Sequence, residues 1–229
     1  MNGALQVCTW AIGLFLYLLV IAALLRGAYR QYPFVFAYAL ASFFSTVAEI
    51  GARAFPPAVR NSYYWTDEIV LDVLVFCLVF AFMDRAARES PRKLVERYWL
   101  ILGAVLIAAA SLVIHRSAPF NFRMTLISRD LNICAAILDL VLWSLLLSAG
   151  RPDRTLLLLS GGLGLQLTGA IIGGQLIGLG RPLYVFGASV EVSTSLLGTY
   201  VWWRALRAVP VTSAAPIKKG GLPKEPTRY

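Results

Sequence analysis

The sequence predicts an all-α membrane protein, a bundle of seven transmembrane helices with the N-terminus outside and the C-terminus cytoplasmic. Three observations predict it. Hydrophobic residues make up 59% of the 229 residues and charged residues only 14%, with a mean hydropathy of +0.70. A soluble domain carries roughly 45–50% apolar and about 25% charged residues. Seven segments are apolar over the length of about 20 residues that a helix needs to cross a bilayer core. The basic residues are then distributed unequally between alternate connections.

The first span, about 4–25, has no Lys or Arg before it and no small-residue cleavage pattern after it, so it reads as a retained helix and not a signal peptide. The second runs over about 33–54 and the third over about 63–83. The fourth is short as an apolar run. Ser90 can cap a helix with Pro91 at its first position, which extends the span to about 91–114. The fifth, sixth and seventh cover about 125–148, 155–178 and 183–204. Residues 1–207 thus form the transmembrane domain. Residues 208–229, with Pro210, Pro216, Pro223, Pro226 and the Lys218–Lys219 pair, read as a disordered basic cytoplasmic tail. No soluble output domain is expected at either end.

Orientation follows from the cations. Arg53, Arg60, Arg116, Arg123 and Arg181 belong to one set of connections, fifteen of the 21 basic residues belong to the other set and the tail, and Arg129 lies inside a span. Short loops rich in Lys and Arg stay cytoplasmic. The third connection carries Arg85, Arg88, Arg92, Lys93 and Arg97, with Glu89 and Lys93 spaced to pair on a helix. The net charge of +9 therefore points to anionic lipid at the cytoplasmic face, not to nucleic acid. A bacterial inner membrane is the expected location.

Two features concern packing. Gly169/Gly173 and Gly174/Gly178 in the sixth span have the spacing that lets helix backbones approach closely. Cys8, Cys77 and Cys134 lie far apart in apolar runs, which suits buried or lipid-facing thiols better than a disulfide or metal site.

The acids carry the functional signal. Seven of 12, namely Glu49, Asp67, Glu68, Asp72, Asp130, Asp139 and Glu191, fall within spans or at their outer ends. An ionisable group in a membrane costs about 2.5–3.5 kcal/mol on insertion scales, so it faces the bundle interior, a partner or a wet cavity. Glu68 and Asp72 share a helix face one turn apart. Arg129 and Asp130 open the fifth helix from outside. Asp139 lies fourteen residues beyond Thr125, about 20 Å by helical rise, and is expected near the midplane as a neutral acid, with Glu191 able to share its proton. Gln166 and Gln175 could join these acids. The candidate ligand- or ion-binding residues are Glu68, Asp72, Arg129, Asp139 and Glu191, with Arg129 expected to meet Glu68. Interhelical salt bridges that fix the packing are the competing account of the same residues.

Tyr32-Pro33-Phe34 at the start of the second helix, Tyr64-Trp65 followed by Glu68 in the third, and Arg129 in the fifth resemble a family of uncharacterised bacterial seven-helix membrane proteins. The resemblance implies the topology and marks Trp65, Glu68 and Arg129. It implies no activity, and Asp139 and Glu191 stand where that family is expected to have neutral residues.

Several functions are argued against. The lysines, Lys93, Lys218, Lys219 and Lys224, lie outside the spans, which excludes a retinal Schiff base. His115 is the one histidine, which excludes bis-histidine haem and a His-rich zinc site; at the outer end of the fourth helix it reads as a solvated interfacial residue. Gly187-Ala188-Ser189 has the Gly-x-Ser form of rhomboid-like proteases, but His115 is too shallow to serve it. Glu68 and Asp72 could hold Mg²⁺ for a prenyl diphosphate, yet no second such motif accompanies them. No Pro-Gln dipeptide marks the small sugar transporters. No cofactor and no catalytic residue are assigned. The expectation is a non-enzymatic protein that binds a small ligand or cation in an outward-facing acidic cavity, as a sensor or accessory module working with a partner membrane protein. The alternatives are a secondary transporter or proton-coupled permease using Asp139 and Glu191, and an intramembrane enzyme acting on a lipid-like substrate.

Overall fold

The computed structural model describes residues 3–52, 56–87, 103, 106, 109–117, 119–148 and 153–209. Among them every regular element is helical. In chain order these are α1 (Gly3–Leu25), α2 (Pro33–Ala52), α3 (Pro57–Ala87), α4 (described at 109–114), α5 (Phe120–Ser148), α6 (Arg154–Gly178) and α7 (Arg181–Arg207). The expected cap at Ser90 and Pro91, the Glu89–Lys93 pair, Arg53 and the tail beyond residue 209 lie outside the described residues.

Local chemistry sets the boundaries. Gly27 ends α1 with φ 128°, a left-handed backbone that favours glycine, and its amide returns to the Leu24 carbonyl at 3.0 Å. A 3-10 turn, Ala28–Arg30, leads to α2, which begins on Pro33. Asp153 caps α6 by accepting from the Thr155 and Leu156 amides at 2.9 and 3.3 Å, which satisfies two otherwise orphaned donors. Gly180, at φ 122°, turns the chain into α7, where Pro182 occupies the first turn.

Helices α3 and α5 start about five residues earlier than expected, at Pro57 and Phe120. Apolarity marks only what lies in hydrocarbon, whereas a helix continues until its backbone is broken, here at proline-bearing connections. Among the described residues, four helices are long and apolar enough to cross a membrane: Gln6–Leu25, Pro33–Ala52, Arg123–Leu147 and Arg154–Gly178. The same length of α3 contains Asp67, Glu68 and Asp72, and α7 is diluted by Glu191 and its serines and threonines.

The helices close a ring. Neighbouring contacts run α1–α2, α2–α3, α3–α5, α5–α6, α6–α7 and back from α7 to α1, with α3 also touching α6. The inner faces form a core that includes Val20, Leu24, Val35, Leu78, Leu142, Leu159, Leu163 and Trp202. Large apolar side chains also cover the outside: Phe15, Phe44, Leu140, Leu147 and Phe186 are each at least 59% exposed. Apolar surface on this scale calls for lipid, not water. The result is a helical membrane protein whose candidate spans contact a bilayer.

The seam between α6 and α7 is the closest in the ring. A β-carbon on Gly162 would lie 2.8 Å from the Gly198 carbonyl oxygen, and one on Gly173 would lie 2.8 Å from the Gly187 carbonyl oxygen. Gly169 packs on Thr194. Trp202 Nε1 donates to the Leu159 carbonyl at 2.7 Å across this seam. The sequence pairing Gly169/Gly173 is therefore used for close approach. The second pairing, Gly174/Gly178, is corrected: no atom comes within 4 Å of a β-carbon at either position. Gly174 is one residue round the helix from Gly173, about 100°, and points away from the seam.

Candidate functional site: an acid and hydroxyl cluster inside the ring

The acids singled out in the sequence are distributed over several helices, and each finds a different environment. On α3, Asp67 accepts from Ser45 of α2 at 2.5 Å, and Glu68 accepts from Ser128 of α5 at 3.0 Å. Asp72, one turn below Glu68, is 8% exposed. It lies within hydrogen-bonding reach of the same Ser128 and within electrostatic reach of Glu68. Ser128 is buried and thus stands between two carboxyls of one helix face. This is the i, i+4 arrangement that the sequence spacing places on α3.

Glu191 reaches the cluster from α7. Its β-carbon would lie 2.8 Å from a β-carbon on Gly173, so the glycine lets Glu191 sit close to α6. Its side chain is exposed and within electrostatic reach of Glu68. Aromatic rings border these acids. Trp65 is buried at 8% exposure, with the Tyr64 ring 5.0 Å from it between centroids. Tyr64 feels Glu68 and Glu191, and Tyr38 of α2 feels Asp72 and Glu68.

Arg129 does not join Glu68. Its guanidinium lies 3.5 Å from Asp130 and its side chain is 44% exposed. The residue that meets Glu68 is Ser128, one position and about 100° round the helix, so Arg129 points elsewhere. Asp130 is held by three groups: the Ser111 hydroxyl donates to it at 2.8 Å, His115 Nε2 lies at 3.1 Å, and Arg129 approaches from its own helix. The reading of His115 as a solvated interfacial residue is corrected, since its side chain is 19% exposed and partnered.

Asp139 is separate from this cluster. It is 3% exposed, and its Oδ1 has no hydrogen-bond partner among the described residues. Its Oδ2 would lie 2.6 Å from a β-carbon on Gly164 of α6. Glu191 touches α6 at Gly173, nine residues further along, or about 13 Å by helical rise. A proton shared between Asp139 and Glu191 is therefore excluded by distance. Because α5 starts at Phe120 and ends at Ser148, Asp139 also lies past the helix midpoint, towards the α5 C-terminus.

The glutamines divide as well. Gln166 receives the Tyr38 hydroxyl at 3.4 Å and donates to the Thr199 hydroxyl at 3.4 Å, which ties α2, α6 and α7 together. Gln175 is exposed and stands apart from them. Sequence reasoning missed Ser45, Ser111 and Ser128 as acid partners; a serine in an apolar run carries no periodicity that distinguishes it from a packing residue.

Glu68 and Asp72 of α3 share Ser128 of α5, Glu191 of α7 stands within electrostatic reach of Glu68, and Arg129 is turned away. Among the described residues no three His, Cys, Asp or Glu side chains come close enough to hold a metal ion. Fold and site together define a multi-pass helical membrane protein with an acid and hydroxyl cluster on α3, α5 and α7. Comparisons with protein-family models, with curated proteins and with solved structures find no match, so the chemistry of these side chains carries the functional reading.

Proposed function

We propose that this protein binds a small organic cation at Glu68, Asp72 and Glu191, as a sensor or accessory module of a bacterial inner membrane. In this reading all seven helices span, the N-terminus is outside, and the acid cluster is reached from outside. Its likeness to uncharacterised bacterial seven-helix proteins belongs to the same proposal. The carrying observation is the pairing of Glu68 and Asp72 at Ser128, with Glu191 near Glu68 and Arg129 directed to Asp130. Carboxyls with aromatic neighbours, one of them the buried Asp72, match an ammonium group, which both carboxylates and ring faces attract. The test is thermal unfolding of the purified protein in detergent with methylammonium, choline or spermidine at constant ionic strength. Stabilisation by at least one amine, lost in Glu68→Gln and Asp72→Asn, supports the proposal. Equal melting temperatures with all of them contradict it.

The buried Asp139 favours a second reading, a proton-coupled permease. The unpartnered Oδ1 is what supports it. That reading requires proton uptake into liposomes that Asp139→Asn abolishes while the fold is kept.

A further inference from the structure

We infer that the cleft between the start of α6 and the end of α7 is a binding site for the phosphate headgroup of an anionic membrane lipid. The cleft encloses about 670 Å³ and is lined by Arg154, Thr155, Leu158, Arg204, Ala205, Arg207 and Ala208. Three arginines therefore line one cavity, and among the described residues its lining contains no acid. Asp153, which precedes Arg154, is already engaged: it accepts from the Thr155 and Leu156 amides and lies 3.6 Å from Arg85 of α3.

The three arginines come from two helices that the α6–α7 seam holds together. Arg204 and Arg207 are three apart in the last turn of α7 and so project from one face. Arg154 opens α6 beside them. Arginine forks match phosphate oxygens in paired hydrogen bonds. Thr155 adds a hydroxyl to the same lining.

The surroundings select a lipid over a soluble phosphate. Leu158 and Ala205 line the cleft, and Leu158 is 37% exposed. Trp203 underlies the Arg207 guanidinium at 5.5 Å. The Tyr200 ring, 43% exposed, lies 5.7 Å from Trp203. Basic groups above interfacial aromatics and an apolar strip fit a headgroup with its acyl chains along the helix. A lipid carrying two phosphates uses the three charges more fully than a lipid with one. This inference does not rest on cation binding at Glu68, Asp72 and Glu191, and its test leaves those residues intact.

The experiment is native mass spectrometry of the full chain in detergent, titrated with cardiolipin, phosphatidylglycerol, phosphatidylcholine or inorganic phosphate. Cardiolipin should be retained best and phosphatidylcholine least. Arg154→Gln and Arg207→Gln should each weaken cardiolipin about five-fold, whereas Arg116→Gln, at the opposite end of the bundle, should leave it unchanged. Each single change removes one exposed charge and leaves the seam glycines in place, and thermal unfolding confirms that each variant folds. Unchanged cardiolipin affinity in both cleft variants overturns the inference. Equal losses in Arg116→Gln, or inorganic phosphate displacing cardiolipin at equal concentration, overturn it too.

Discussion

The Asp139 carboxylate lies against Gly164: a β-carbon at position 164 would come within 2.6 Å of Asp139 Oδ2. The missing side chain on α6 is the space that the acid of α5 occupies. Gly164→Ala should therefore destabilise the protein by about 1–3 kcal/mol through overpacking. Most of that loss should disappear when Asp139→Ala is added, because the clash has then lost its partner. A double-mutant cycle on detergent unfolding measures the coupling, and two additive losses would count against the contact. Asp139→Asn should keep near-native stability, since an amide fills the same space without a charge.

The α6–α7 seam gives an asymmetric expectation. Gly162→Ala places a methyl group 2.8 Å from the Gly198 carbonyl and against the Trp202 ring. Backbone on one side and a fully buried ring on the other leave no easy escape, so a loss of about 3 kcal/mol is expected. Gly174→Ala meets open space. It should be neutral, or stabilise by up to about 1 kcal/mol, because alanine is the better helix former. Melting temperatures of the two variants decide this directly.

Glu68 and Arg129 should behave independently. Glu68 is bonded to Ser128 and Arg129 to Asp130, so the Glu68→Gln and Arg129→Gln effects on stability should add within about 0.5 kcal/mol. Glu68→Gln and Ser128→Ala should not add. Coupling of the first pair above about 1 kcal/mol, with none in the second, would reverse the assignment.

The connection between α1 and α2 offers a pH test outside the membrane spans. Tyr32 is 4% exposed. Its hydroxyl is pushed up to about 12, first by burial and next by the negative charge of Asp153, with Arg85 opposing. The Arg85 guanidinium lies over its ring at 4.3 Å and donates to the Gln31 carbonyl at 3.0 Å. An unfolded tyrosine ionises near pH 10, so the native state holds the proton more tightly. Its contribution to stability is fully present below about pH 10 and is lost as pH rises towards 12. Tyr32→Phe should flatten the alkaline decline in unfolding free energy over that window. An unchanged decline would show that Tyr32 does not ionise late.

The sequence made the helices legible because apolar runs and basic connections are physical requirements of a bilayer. It also marked the acid face of α3, since Glu68 and Asp72 are spaced by one turn, whereas the place of Asp139 along α5 was less legible, because that helix starts at Phe120 and not near Thr125. Partnerships between helices were less legible. Whether Ser128 or Arg129 meets Glu68 depends on a 100° rotation of α5, which packing against α3 and α6 decides. Gly173 and Gly174 are equivalent as spacing motifs, and only the position of α7 separates them. The distance between Asp139 and Glu191 follows from where each helix starts, and helix starts beyond the hydrocarbon leave little trace in hydropathy.

The central claim, an acid site reached from the outer face, is tested most directly by thiol labelling. Glu68→Cys is made in a chain whose Cys8, Cys77 and Cys134 are replaced by serine or alanine, and a membrane-impermeant maleimide is applied to intact spheroplasts and to inverted vesicles. The account expects labelling of Glu68→Cys in spheroplasts only, with Arg92→Cys labelled only in inverted vesicles. Glu68→Cys labelled only in inverted vesicles, or Arg92→Cys labelled in intact spheroplasts, would contradict it.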